Sequence, residues 1–284
     1  LRAFCLIRDQ PWYRRQAFEA GLKAAGYQLQ AGHPERTAPG DVLVIWNRYH
    51  DRHELATRFE AQGGTVIVAE NGYLGRGGST PKFDVHPGGP TADSYYAIAV
   101  GGHNGSGLKA PESPERWAAL GVELQPWRSN SPPAGGGVAH GAGVVGDNRH
   151  VLVCPSRSFG RPDMTMPKDW VQRTVAELRK FTKRPIRVRE HPENNRPARP
   201  LSEDLAGAHA VVIWASSAGI HALVAGIPVF RTAPHWILKG ADSTELGAIE
   251  SPPLPDRLPA FHRLSAAQWA VREIESGEPF RRLR

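Results

Sequence analysis

Apolar positions along the first hundred residues alternate between short continuous runs and helical spacings. Ala3 to Ile7 is a run of strand length. Pro11 then stands where a first helical turn tolerates it, Phe18, Leu22 and Ala25 follow on one helical face, and Gly26 stops the helix. Asp41 to Trp46 is nearly all apolar, as a central parallel strand requires. Asp51 caps the next helix, with Leu55 and Phe59 on one face and Gly63-Gly64 at its end. Thr65 to Ala69 and Ser94 to Val100 read as the third and fourth strands. Strands alternating with helices in this way predict a parallel sheet covered by helices.

The pattern lapses and then restarts. Ser131 to Asp147 holds two prolines and six glycines and little that builds a core. Beyond it Val151 to Cys154 reads as a strand, Lys168 to Phe181 as an amphipathic helix, Ile186 to Arg189 as a strand and Ser202 to Ala206 as a short helix. Val211 to Trp214, Ser217 to Ala225 and Pro228 to Phe230 continue as strand, helix and strand. The expected fold class is α/β, with two Rossmann-like domains and a cleft between them. The expected boundaries are 1–130, a linker at 131–147, a second domain at 148–264, and a C-terminal helix within 265–284 that crosses back onto the first half.

Composition narrows the function. The 284 residues suit two domains of about 140 residues each. A net charge of +7 favours an anionic partner, whether nucleic acid, sugar nucleotide or acidic glycan. Cys5 and Cys154 each sit in an apolar run and read as core thiols in a reducing compartment, which excludes a disulfide framework. The opening residues are too quickly charged for a signal peptide. The most apolar stretch, His209 to Phe230, is broken by Ser216, Ser217, His221 and Pro228. The expectation is a soluble cytoplasmic protein without membrane insertion.

The richest segment runs from Asp204 to Phe230, where a buried strand enters the Ser216-Ser217 turn, a helix and a short strand opened by Gly226-Ile-Pro228. Unpaired amides at that helix start, with the two serine hydroxyls, would form a phosphate cradle; Ser216 as a plain helix cap is the alternative. Upstream, Arg189 ends a predicted strand and His191-Pro192 follows it, at the edge where open α/β sheets bind ligands. Arg157 follows the strand that opens the second half and is able to clamp a diphosphate, or to be an ordinary surface arginine. Lys168 precedes a helix, where a cation opposes the macrodipole, so an anion contact explains it better than helix stabilisation.

His191-Pro192, Ser216-Ser217 and Ala222-Leu223-Val-Ala-Gly226-Ile-Pro228-Val229 together resemble the donor half of GT-B glycosyltransferases, including bacterial capsule sialyl- and Kdo-transferases. Glu70-Asn-Gly-Tyr73, the run from Tyr95 to Gly105, Cys154-Pro-Ser-Arg157 and Met166-Pro-Lys-Asp-Trp170 also resemble phage enzymes that glycosylate hydroxymethylated pyrimidines in DNA. The resemblance implies a nucleotide-sugar donor such as a UDP-sugar, held by Arg157, Lys168, Arg189, His191, Ser216, Ser217 and His221, with no cofactor and no metal. It also implies a base that takes the acceptor proton. Glu70, Asp93 and His103 are the candidates, Asp93 having a turn-cap alternative. The loops around Glu70 and Gly101-Gly102 are expected on one sheet edge, with Asn71, Tyr73, Asn104, Arg48 and Arg76 as acceptor contacts.

Other chemistries lack their residues. No Gly-x-x-x-x-Gly-Lys-[Ser/Thr] stands in the chain, no ordered dinucleotide fingerprint, no His-Glu-x-x-His and no Asp-x-Asp. The leading expectation is glycosyl transfer to 5-hydroxymethylpyrimidine in double-stranded phage DNA. The alternatives are transfer to a bacterial surface glycan, and a non-catalytic nucleic-acid-binding protein on the same scaffold.

Overall fold

The computed structural model describes residues 1–74, 95–102, 111–128, 150–157, 163–190 and 200–282. In chain order the elements are β1 (Arg2–Cys5), α1 (Arg15–Ala24), β2 (Gln28–Gln30), β3 (Val42–Trp46), α2 (Asp51–Ala61), β4 (Thr65–Asn71), β5 (Tyr95–Val100), α3 (Pro114–Leu120), β6 (His150–Cys154) and α4 (Trp170–Leu178). They continue as β7 (Ile186–Val188), α5 (Leu201–Ala206), β8 (Ala208–Ile213), α6 (Ala218–Val224), β9 (Val229–Arg231), α7 (Leu258–Ala266), β10 (Gln268–Ala270), α8 (Val271–Glu275) and α9 (Glu278–Arg282). Two compact units result: Leu1–Val122 with Gly160–Asp163 and Pro259–Arg284, and Glu123–Phe159 with Met164–Leu258.

The first unit is built on a six-stranded sheet in the order β10-β5-β4-β3-β1-β2. Alternation along the strands serves two cores, one on each face. Ala3, Cys5, Val44 and Trp46 pack with Phe18 and Leu22 of α1 and Ile274 of α8. Phe4, Leu43, Ile45 and Val68 pack with Leu55 and Phe59 of α2. Gly21 lets α1 meet α8 closely, since a Cβ there would lie 1.8 Å from the Ile274 carbonyl oxygen.

Three expectations are corrected here. Pro11 opens a separate 3-10 turn, and α1 begins only after the left-handed Arg14. The fourth strand, β5, runs antiparallel to β4, with Ile67 opposite Val100 and Asn71 opposite Tyr96. A parallel neighbour needs a crossover of a dozen or more residues, usually helical, and residues 72–94 contain six glycines and three prolines instead. The helix expected over Ser265 to Ser276 is interrupted by β10, which pairs antiparallel with β5 through Trp269 and Tyr96.

The second unit holds the four-stranded sheet β7-β6-β8-β9, parallel throughout. All of β6 and β8 is buried. Val151, Val153, Ala210, Val212 and Phe230 meet Trp170 and Leu178 of α4 and Ile249. Residues 123–128 pack in this unit, ahead of the 131–147 stretch. Arg128 donates to the carbonyls of Leu205 at 2.8 Å and Ala225 at 3.2 Å, at the ends of α5 and α6. Arg257 donates to Gln125 O at 2.7 Å and stacks on Trp127 at 4.0 Å. Arg128 thereby covers carbonyls at the ends of two helices.

Candidate donor site at the strand ends of the second unit

Because β7, β6, β8 and β9 are parallel and in register, their carboxyl ends share one edge: Cys154 lies opposite Ile213, Val153 opposite Val188, and Ile213 opposite Arg231. The loops that leave this edge carry Ser156 and Arg157, Arg189, Ser216 and Ser217, and Thr232. Side-chain bonds tie them together. Ser156 Oγ accepts from Ala215 N at 3.2 Å. Trp214 Nε1 donates to Met164 O at 2.8 Å, and Trp170 Nε1 donates to Thr232 Oγ1 at 2.7 Å. The two indoles meet edge to face with centroids 6.3 Å apart.

The serine turn is less open than the sequence suggests. Ala218 N donates to Ser216 Oγ at 3.3 Å. Gly219 N donates to Ser216 O, and Ile220 N and His221 N both donate to Ser217 O. The first amides of α6 are thus engaged within the turn, and the cradle of unpaired amides is largely closed. Ser217 is exposed and makes no side-chain cap, Ser216 is half-buried, and the chemistry available to an anion here is that of hydroxyls and nearby cations. His221 lies one turn into α6, where burial pushes its imidazole below the usual histidine range, so it stands neutral at pH 7.

The remaining donor candidates separate. Arg157 is half-buried in the loop after β6, and Lys168 is exposed just before α4. Arg189 forms a buried ion pair with Asp204 of α5, whose carbonyl also accepts from His150 Nε2 at 3.0 Å. That pairing gives Arg189 a structural role. His191 lies outside the described residues.

In the first unit, Glu70 and Asn71 end β4, and Tyr73 follows at the same edge. Burial, then the charge of Glu70, raises the Tyr73 hydroxyl well above the usual range. Gln268 of β10, fully buried, holds this loop: its Oε1 accepts from Tyr73 N and from Leu74 N (2.8 Å for the latter), and its Nε2 donates to Leu74 O at 2.9 Å.

The two loops expected on one sheet edge start from opposite ends of β4. Because β5 is antiparallel, Gly72 N donates to Tyr95 O at one end of β4, while Gly101 N donates to Val66 O at the other. Gly101 and Glu70 are thereby separated by four strand residues, about 13 Å. Asp93, His103, Asn104 and Arg76 lie outside the described residues. Arg48 is also engaged within the fold: its guanidinium bonds both oxygens of Glu60, at 2.7 and 2.5 Å, and Gly101 O at 2.9 Å. Arg52 donates to Trp46 O at 2.5 Å.

The sequence places Ser156 and Trp170 only inside longer motifs and gives Trp214, Thr232 and Gln268 no role at the site. Two of them left a signal. Trp214 ends an apolar strand with an N–H that must find an acceptor, and Gln268 interrupts the apolar run Ala266-Ala-Gln-Trp-Ala-Val271. Among the described residues, no three His, Cys, Asp or Glu side chains gather as a metal site, and no helix is long and apolar enough to cross a membrane.

Two α/β units, each centred on a largely parallel sheet, define a GT-B-like fold. Among solved structures, the β-Kdo 2,4-transferase of Thermosulfurimonas dismutans KpsC matches with a TM-score of 0.54 at 13% identity, over 93% of this chain and 89% of that one. The β-Kdo 2,7-transferase of the same organism's KpsC matches with a TM-score of 0.51 at 10% identity, over 99% of this chain and 98% of that one. At such identities the likeness is one of fold. No family model matches the chain, and no curated protein matches it in sequence.

Proposed function

We propose that the chain is a glycosyltransferase that moves a sugar from a nucleotide-sugar donor to a hydroxyl of a bacterial surface glycan. The observation that carries this reading is the clustering of Arg157, Ser216, Ser217 and the Thr232 loop at the carboxyl edge of one parallel sheet, in a chain whose fold follows two Kdo transferases nearly end to end. In the reaction the acceptor oxygen bonds to the anomeric carbon, the bond from that carbon to the phosphate oxygen breaks, and the nucleotide leaves as an anion. Arg157, Lys168 and the serine hydroxyls stabilise that anion through charge and charge-assisted hydrogen bonds. A neutral His221 is suited to donate one further hydrogen bond. The acceptor proton goes to a base of the first unit, with Glu70, Asp93 and His103 as candidates.

Acceptor choice favours the glycan over hydroxymethylated DNA. Arg48, expected as an acceptor contact, and the nearby Arg52 are engaged with Glu60 and with backbone carbonyls and so are not available to DNA phosphates, and both fold neighbours are Kdo transferases by name. The test is transfer and hydrolysis across a panel of UDP-sugars and nucleotide-activated Kdo, with surface-glycan fragments and hydroxymethylated duplexes as acceptors. Labelling of the glycan alone is expected, unchanged by chelators. In calorimetry Ser216→Ala/Ser217→Ala should weaken nucleotide binding about thirtyfold, for two lost bonds of about 1 kcal/mol each. Labelled DNA with unlabelled glycan would reverse the acceptor assignment, and unchanged nucleotide affinity would remove the serines from the site.

A further inference from the structure

Residues 179–189 contain Arg179, Lys180, Lys183, Arg184, Arg187 and Arg189 and no acid. They form the turn that leaves α4 and the strand β7, the outermost of its sheet. The turn is braced from within. Arg184 N donates to Thr182 Oγ1 at 3.0 Å, and Arg179 Nη1 donates to Arg184 O at 3.1 Å. Glu250 accepts from Thr182 Oγ1, and from Arg184 Nε at 2.9 Å. On this fixed base Arg179, Lys180, Phe181, Lys183, Pro185, Arg187 and Val188 are all exposed.

The cations there are only partly offset. Lys180 pairs with Glu177 at 2.6 Å, while Lys183 and Arg187 pair with no carboxylate among the described residues. Apolar groups are set among them: Phe181 is 42% exposed and Val188 44%, two of the five large hydrophobics left exposed among the described residues. One exposed hydrophobic is ordinary. A phenyl ring and an isopropyl group amid close-set cations call for a partner that rewards both. Duplex phosphates reward the cations only, because the bases are stacked out of reach. An anionic bilayer attracts the cations to its headgroups and receives the apolar groups at its interface.

We propose that this outer edge of the sheet docks on an anionic phospholipid bilayer, with Phe181 and Val188 entering the interface and Arg179, Lys180, Lys183 and Arg187 lying among the headgroups. The turn sits at the amino edge of the sheet, where Ile186 pairs with Val151, opposite the strand ends that carry Arg157 and Ser216. From that turn the surface runs along β7 to Val188, opposite Val153, and the attachment is tested without reference to the transferase reading.

The test is co-sedimentation of the full chain with vesicles of phosphatidylcholine alone, or with one third phosphatidylglycerol, at low and moderate salt. Binding is expected only with phosphatidylglycerol and should weaken as salt screens the charges. Lys183→Gln/Arg187→Gln should lower partitioning roughly thirtyfold, about fivefold for each charge removed. Phe181→Ser should lower vesicle binding while leaving any retention on duplex DNA unchanged. Both variants alter exposed side chains, and unchanged circular dichroism and melting confirm their folding. Equal binding to neutral vesicles, no binding to either, or binding to duplex DNA without vesicle binding would overturn the proposal. So would wild-type partitioning in the double-glutamine variant.

Discussion

Gln268 offers the sharpest test of how the first unit holds its candidate loop. Its buried amide makes three hydrogen bonds to the backbone of Tyr73 and Leu74, across nearly two hundred residues of sequence. Gln268→Ala strands two N–H donors and one carbonyl. Each buried polar group left without a partner costs about 1–3 kcal/mol. Tyr73 is half-buried, so water partly compensates, and a net loss of about 3 kcal/mol is expected. Gln268→Glu separates acceptor from donor. As a carboxylate it still accepts from both amides but repels Leu74 O; protonated, it restores the third bond. The repulsion and burial raise its folded pKa above the unfolded value of about 4.3, so this variant approaches wild-type stability in acid and loses that stability as pH rises through the folded pKa. The assay is urea unfolding at several pH values, with amide exchange at Tyr73 and Leu74 as the local readout. If Gln268→Ala unfolds within about 0.5 kcal/mol of wild type and neither amide exchanges faster, the clamp does not hold the loop; that margin is the usual size of a surface effect.

Three further outcomes are expected. Gly21→Ala should destabilise by about 3 kcal/mol despite alanine's better helix propensity, because the new Cβ meets the Ile274 carbonyl oxygen at 1.8 Å and α1 must move away from α8; an unchanged melting midpoint would refute that close approach. Asp204→Asn should cost about 3–5 kcal/mol by leaving the buried Arg189 charge uncompensated, and joint apolar replacement of both residues should recover most of it. A loss below about 1 kcal/mol in urea unfolding would return Arg189 to the ligand candidates. His150 and His209 are buried, and burial pushes both below the usual histidine value. Their contribution is therefore complete above about pH 6.5 and is lost as pH falls from there through the folded pKa values. The urea midpoint should drop between pH 7 and pH 5, before Asp41, Glu250 and Glu273, all held below the usual carboxylate range, begin to protonate. A flat midpoint over that interval would contradict the assignment.

What the sequence disclosed and what it concealed follow from the range of the interactions involved. The strands β3, β6 and β8 were legible because a strand covered on both faces must be a continuous apolar run. The three-residue strands β2 and β10 exist only through their neighbours β1 and β5, and so short a run carries no period of its own. The direction of β5 is not a property of its residues at all. It depends on the connection, and the missing helical spacing in residues 72–94 was the one clue to it. The site divides in the same way. The strand, serine turn and helix from Val211 to Val224 were readable because each step is local. By contrast, Arg48 and Arg189 look like ligands when seen as cations beside strand ends, yet Glu60 and Asp204 occupy them from 12 and 15 residues away. A guanidinium's partner is chosen by tertiary packing, which the local pattern does not encode. A basic residue at a strand end is thus a candidate for substrate only once the fold has been shown not to neutralise it. Lys168, exposed ahead of α4 and without an ion pair among the described residues, meets that condition, whereas Arg189 does not.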